Sequence, residues 1–274
     1  MNRLVNRPPN RLFVFGCSFT NYYWPTWANI VAYDLNIPFY NYGKIAAGNH
    51  YIFNTLQQAD AIHNFNDQDL VMIAWTNVTR EDRYIKSKWV PSGNIYTSSL
   101  YNSEYIEKYV DTFGFFLRDL IFLKSAHDLL TFKQCQFHFL KMIDFDFVNQ
   151  WDTKNKTEFT MPNFERYQAY LNKCLPSFFD ILWNNDIGLK FKLDSEKFYK
   201  GYEDGHPTVL EHLTYLQKVF LKHNWKNETV NSIMNLDKKI TNKINEAKVN
   251  GRWHRFVSLE DLTLNKAEIS QILN

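Results

Sequence analysis

Short apolar runs alternate with helical repeats through the first half of the chain, and this alternation constrains the fold more than any other feature. Leu12 to Phe15, Phe39 to Tyr42, Leu70 to Trp75 and Gln136 to Ile143 are bounded by polar residues or glycine, the pattern of strands buried on both faces. Between them Trp24, Trp27, Ile30, Val31 and Leu35, and then Ile52, Leu56, Ala59 and Ile62, recur at helical spacing. Strand, helix, strand, helix, strand implies a mostly parallel sheet covered on both faces. The predicted fold is α/β: a three-layer α/β/α domain over residues 1–223 and a helical accessory tail over 224–274.

The remaining segments fill in that frame. Asn102 to about Lys133 is expected to form one long helix or two, with Gly114 as the interruption and Leu120, Ile121, Leu123 and Leu129 on the buried face. Tyr84 to Tyr101 is an aromatic, polar connection that serves either as a lid or substrate wall or as a packed surface excursion. A polar stretch from Asp144 to Asn163 ends at Pro162, ahead of a helical region from Phe164 to about Leu182 that Pro176 kinks or splits. Val209, Leu210, Leu213, Leu216, Val219 and Phe220 predict a further helix, with Thr208 near its start. From Asn224 the chain is rich in Lys and Asn.

Composition narrows the function classes. The 274 residues are 45% apolar with a formal charge of +2, ample for a core and without the domain-wide basic field that nucleic acid would demand. The Lys-rich end leaves nucleic-acid binding as a minor reading only. Cys17, Cys135 and Cys174 are scattered, so neither a disulfide framework nor a zinc site is expected, and no metal or organic cofactor is implied. Met1 to Asn10 contains two arginines and two prolines in place of an apolar h-region, and no run is long enough to span a bilayer. These features predict a soluble protein made in the cytoplasm without an export signal, with association with a virion left open.

Two segments carry the candidate chemistry. Gly16-Cys17-Ser18-Phe19-Thr20 follows the first apolar run and so delivers a serine to a strand's carboxyl end, where open α/β sheets place their ligands. Far downstream, Asp204-Gly205-His206-Pro207 supplies an imidazole with acids beside it. A serine hydroxyl is a poor nucleophile until a histidine accepts its proton, and a carboxylate on the other ring nitrogen fixes the tautomer. Ser18 and His206 are the expected pair. Asp204 is the first choice of acid, because in an extended run it shares a face with His206, and Glu203 is the alternative.

With these residues in view, Phe15 to Thr20 resembles the first block of the SGNH/GDSL hydrolases, with Ser18 at the nucleophile position. Asn41 to His50 resembles the second block, Ala74-Trp75-Thr76-Asn77-Val78 the third, and Asp204 to Pro207 the last. The resemblance implies a flavodoxin-like sheet, and an oxyanion hole formed by the backbone N–H groups of Ser18 and Gly48 and the side-chain amide of Asn77. It implies hydrolysis of a carboxylic ester through an acyl-Ser18 intermediate. An O-acetylated carbohydrate is the expected substrate, since a small acyl group and aromatic walls suit it. The chain departs from the family pattern at Cys17, which stands in the place of an aspartate, and at Trp75 and Val78 beside Asn77. Three glycosylation-type triplets begin at Asn77, Asn155 and Asn227; a glycan on Asn77 would block the expected pocket, which disfavours a eukaryotic secretory route.

Each residue has a plainer role to set against this one. Ser18 and Asp204 are good turn formers, Asn77 can satisfy a strand end, Gly48 can serve a turn, and Cys17 suits a small buried site. His138 reads as a core histidine, His50 as a pocket wall, and Trp24, Trp75 and Trp89 as core or as stacking surface. The rival function is a catalytically silent carbohydrate-binding or assembly protein that keeps the fold but not the reaction.

Overall fold

The computed structural model describes residues 3–145, 167–186 and 205–249. Five strands form a single sheet: β1 (Arg11–Phe15), β2 (Phe39–Asn41), β3 (Asp69–Trp75), β6 (Gln136–Lys141) and β7 (Cys174–Ser177), in the order β2-β1-β3-β6-β7. All four pairings are parallel, with Val14 beside Asn41 and Met72, and Trp75 beside Lys141. This is the flavodoxin-like order, and its direction reverses between β1 and β3. All seven residues of β3 are buried: the apolar run Leu70 to Trp75 suits a central strand, and Asp69 is paired with Arg11.

Helices close the faces. α2 (Asn49–His63) packs with α4 (Thr112–Phe132), while α1 (Trp27–Leu35), α6 (Val209–Val219) and α7 (Asn227–Val249) pack together. Thr26 caps α1 and Thr208 caps α6, each in a reciprocal capping box, with Asn29 and Glu211 respectively. α5 (Phe178–Trp183) follows β7 directly and lies against α6.

Several expectations are corrected. The region from Asn102 does divide in two, but at Val110 and Asp111: α3 (Ser103–Tyr109) ends on an extended Val110, and Asp111 caps α4 by accepting from the Phe113 amide. Gly114 lies inside α4, and Ile121 is half exposed. The connection after β3 is a hairpin, β4 (Arg80–Ile85) and β5 (Lys88–Asn94). Its two turn residues, Lys86 and Ser87, both take positive φ (48° and 61°), the type I′ geometry that matches strand twist. Neither is the Asn or Gly that signals such a turn. Residues 174–177 form a strand where a kinked helix was expected; β7 is a sheet edge, where proline costs no ladder bond. Residues 146–166 lie outside the described structure.

Ile233, Leu236 and Ile240 of α7 are buried in the same apolar core as the sheet. A polar anchor accompanies them: buried Asp34 of α1 accepts from His223 Nε2 at 2.7 Å, the Lys226 amide at 3.0 Å and Thr229 Oγ1 at 2.7 Å. Burial alone would raise the Asp34 pKa, but the bonds from His223, Thr229 and Lys226 outweigh it and hold the carboxyl below its ordinary value. The stability from this anchor is therefore present above the ordinary carboxylate range and is lost as pH falls through the depressed value. Asp34→Ala is expected to cost about 3 kcal/mol in urea unfolding at neutral pH, with the difference from wild type shrinking in acid.

Candidate active site

The turn that carries Ser18 is built by the residues around it. After β1 the chain folds back so that Thr20 N donates to Cys17 O at 2.9 Å and Asn21 N to the same oxygen at 3.2 Å. A Cβ on Gly16 would lie 2.0 Å from Thr20 Oγ1, so glycine is required for this tight return. The segment after β2 clamps the turn from outside: Asn41 Nδ2 donates to Thr20 O at 3.1 Å, Asn21 Nδ2 to Gly43 O at 2.9 Å, and Lys44 N to Gly16 O at 3.1 Å. Thr26, the cap of α1, also donates to Thr20 O at 2.7 Å. Ser18 is left 3% exposed.

His206 reaches the same place from 188 residues away, with Nε2 lying 2.8 Å from Ser18 Oγ. Its ring stacks on Tyr22 at 3.9 Å between centroids with a 17° interplanar angle, and Phe19 flanks it at 5.6 Å. The segment is fixed on its carboxyl side, where Pro207 O accepts from Trp24 Nε1 at 2.9 Å and Thr208 opens α6. Glu211 binds the Thr208 amide and also accepts from Trp183 Nε1. Asp204 and Glu203, the candidate acids, lie outside the described residues.

Asn77 stands two residues past β3, across the switch point from Ser18. Its Oδ1 accepts from both the amide and the hydroxyl of Thr79 at 2.8 Å, which fixes the rotamer and leaves Nδ2 with no partner among the described residues. The Ser18 amide is likewise without a partner there. Gly48 requires a correction. Its N–H donates to the Asp82 carboxylate at 2.9 and 3.1 Å, so it is not a donor to the crevice. The missing Cβ serves packing too: it would lie 2.8 Å from Asp82 Oδ2 and 2.9 Å from Arg80 O. The glycine admits β4, rather than a substrate, to the start of α2.

The plainer readings hold for several neighbours. Cys17 is fully buried with Sγ 4.0 Å from Met142 Sδ, and Trp75 is fully buried edge-on to Phe139. His138 bonds Leu4 O at 2.7 Å, and burial lowers its pKa. His50 stacks on Phe122 and meets Trp89 edge-on.

A buried polar network behind the crevice has no counterpart in the sequence reading. Asn49 Oδ1 accepts from Thr76 N at 2.8 Å while Nδ2 donates to Thr76 O at 3.0 Å and to Asp119 Oδ2 at 2.6 Å. Arg118 pairs with Asp119 and with Glu81, both at 2.9 Å, and Glu81 also meets Arg83 at 3.1 Å. Asp82 binds the amides of Gly48 and Tyr51, and its pKa is raised because burial outweighs those bonds. Burial pushes Asp119 up to about 7 despite Arg118 and Asn49. The only sequence signal for Asn49 was its place beside Gly48 in the second block.

No protein-family model and no curated protein matches the chain. Solved structures similar to it include GDSL-family lipolytic proteins and acetylxylan esterases. A lipolytic protein of the G-D-S-L family from Veillonella parvula is 15% identical with a TM-score of 0.40, covering 77% of this chain and 98% of its own. A GDSL-like lipase from Bacteroides thetaiotaomicron is 14% identical with a TM-score of 0.39, covering 78% and 86%. A catalytic mutant of an acetylxylan esterase from Geobacillus stearothermophilus is 13% identical with a TM-score of 0.36, covering 78% and 93%.

Asp119 takes up a proton on folding, so its contribution to stability is complete below the ordinary carboxylate range and declines as pH rises toward about 7. Asp119→Asn is expected to flatten that decline, as read by denaturant midpoints across the same range; an unchanged slope would place the titration elsewhere.

Proposed function

We propose that the protein hydrolyses a carboxylic ester through an acyl-Ser18 intermediate. The observation that carries this reading is the 2.8 Å approach of His206 Nε2 to Ser18 Oγ at the β1/β3 switch point, which is hydrogen-bond reach for proton abstraction. His206 accepts the serine proton as Oγ attacks the carbonyl carbon, then returns it to the departing alcohol. Water repeats the cycle on the acyl-enzyme. Tyr22 and Phe19 hold the imidazole plane through both steps. Asp204, with Glu203 as the alternative, binds the other ring nitrogen and stabilises the imidazolium.

The oxyanion is received by the Ser18 amide and Asn77 Nδ2, donors that have no partner among the described residues. Nucleophile, base and donors all come from the chain, so the reaction requires no metal or organic cofactor. The near-complete burial of Ser18 favours a compact acyl group, and we assign an O-acetyl group on a carbohydrate as the substrate class.

Ser18→Ala and His206→Ala are each expected to lower kcat/KM on acetyl esters by at least about 10³-fold. A fluorophosphonate should modify Ser18 alone; an adduct elsewhere, or unchanged rates in both variants, removes the mechanism. Asn77→Ala should reduce kcat by about 10²-fold or more with little change in KM, because its donor bond strengthens only as the oxyanion forms.

A further inference from the structure

Arg80 opens β4 three residues after Asn77, and its guanidinium reaches across the carboxyl ends of the central strands. Nη1 donates to Ala47 O at 3.2 Å, and Nη2 lies 3.7 Å from Met142 Sδ. That thioether is also 4.0 Å from Cys17 Sγ and 3.5 Å from Thr76 Oγ1. Cys17 precedes the nucleophile, Thr76 precedes the oxyanion amide, and Met142 follows β6. The cation therefore shares one sulfur with the residues that immediately precede Ser18 and Asn77.

Among the described residues, the acids of this region are committed elsewhere. Asp82 is held by the Gly48 and Tyr51 amides, Glu81 by Arg118 and Arg83, Asp119 by Arg118 and Asn49, and Asp144 by Lys141. Arg80 makes no ion pair among the described residues. Lys44, the other cation of this wall, is occupied by Trp89 O at 3.0 Å and the face of Tyr51. A guanidinium carries five donors, and here one meets a carbonyl and another a weakly accepting thioether. A half-buried guanidinium without a counter-charge pays for its lost hydration unless a ligand returns it, and its planar fork matches a carboxylate.

We propose that Arg80 binds a carboxylate carried by the ester substrate, so that the site selects acidic esters over neutral ones; this rests on the ester hydrolysis assigned to Ser18 above. The carboxylate belongs either to the sugar, as in an O-acetylated uronic acid, or to the acyl group, as in the half-ester of a dicarboxylic acid. Arg80 is thus a specificity residue, separate from the proton-transfer pair.

Two substrate pairs test this. One compares an O-acetylated uronic acid glycoside with its methyl ester, and the other 4-nitrophenyl hemisuccinate with 4-nitrophenyl methyl succinate. In one pair the acid should be turned over roughly tenfold or more faster in kcat/KM at low ionic strength, and that pair identifies which half of the substrate carries the charge. The preference should shrink with added salt, fall toward unity in Arg80→Gln, and survive in part in Arg80→Lys, which keeps the charge but loses the fork. Equal rates for acid and neutral members in both pairs overturn the proposal, and so does a preference that persists in Arg80→Gln. The wild-type comparison needs no variant to fold. Calorimetric binding of the same four compounds to Ser18→Ala separates the two readings. If no ester is hydrolysed but an acid binds more tightly than its neutral partner, and does so only with Arg80 present, the hydrolase assignment fails and the carboxylate site stands. If no such difference in binding appears either, both fall.

Discussion

The side-chain amide of Asn49 bonds both the backbone N–H and the backbone C=O of Thr76, and the crevice depends on that contact. Beyond Trp75 the third strand has no ladder partner for Thr76 on this side, and Asn49 supplies a substitute from the first turn of a helix, accepting at 2.8 Å and donating at 3.0 Å. A buried peptide left without such a partner would carry a desolvation cost of a few kcal/mol, on the order of 1–3. The contact ties the residue before Asn77 to the residue after Gly48, so the end of β3 is held to the start of the preceding helix, α2. Asn41 performs the corresponding task for the Ser18 turn, bonding Thr20 O and the Gly43 amide. Two asparagines thus hold the walls on which Ser18 and Asn77 stand.

The electrostatics of the site follow from where acids are buried. Asp82, Glu81 and Asp119 all lie behind the crevice, each bound to amides or guanidinium groups, and none bonds Ser18. Their arrangement explains the hairpin. The segment Arg80-Glu81-Asp82-Arg83 has none of the apolar alternation of a strand, yet it forms one because its two acids find complete sets of donors in the α2 amides and in Arg118. Arg80, at the front of the same strand, makes no ion pair among the described residues.

The strands at 11–15, 39–41, 69–75 and 136–141 were legible because unbroken apolar runs have few places to go in an α/β chain. Thr208 was legible as the start of a helix because capping is local chemistry. The hairpin was hidden by its charges and by a type I′ turn made of Lys86 and Ser87. β7 was hidden by its four-residue length and by Pro176, which only an edge position tolerates. Ser18 and His206 could be named from their surroundings, and the contact between them is where the structure puts them. Gly48 was named for a donor that Asp82 takes, a partner 34 residues away that no local pattern announces. Asn49, Asp119 and Arg80 were missed for the same reason: a polar residue's task depends on what meets it across the fold.

The sequence alone determined the layer architecture, the direction of the sheet, and the presence of a serine just past the first strand and a histidine just before a late helix. These follow from periodicity and capping, which are local properties of the chain. Only the tertiary structure decided, among the described residues, which donors have no partner at the crevice, which acids hold it together, and which cation makes no ion pair. Hydrogen bonds and ion pairs are settled by competition among all groups within reach, and reach is defined only once the chain has folded.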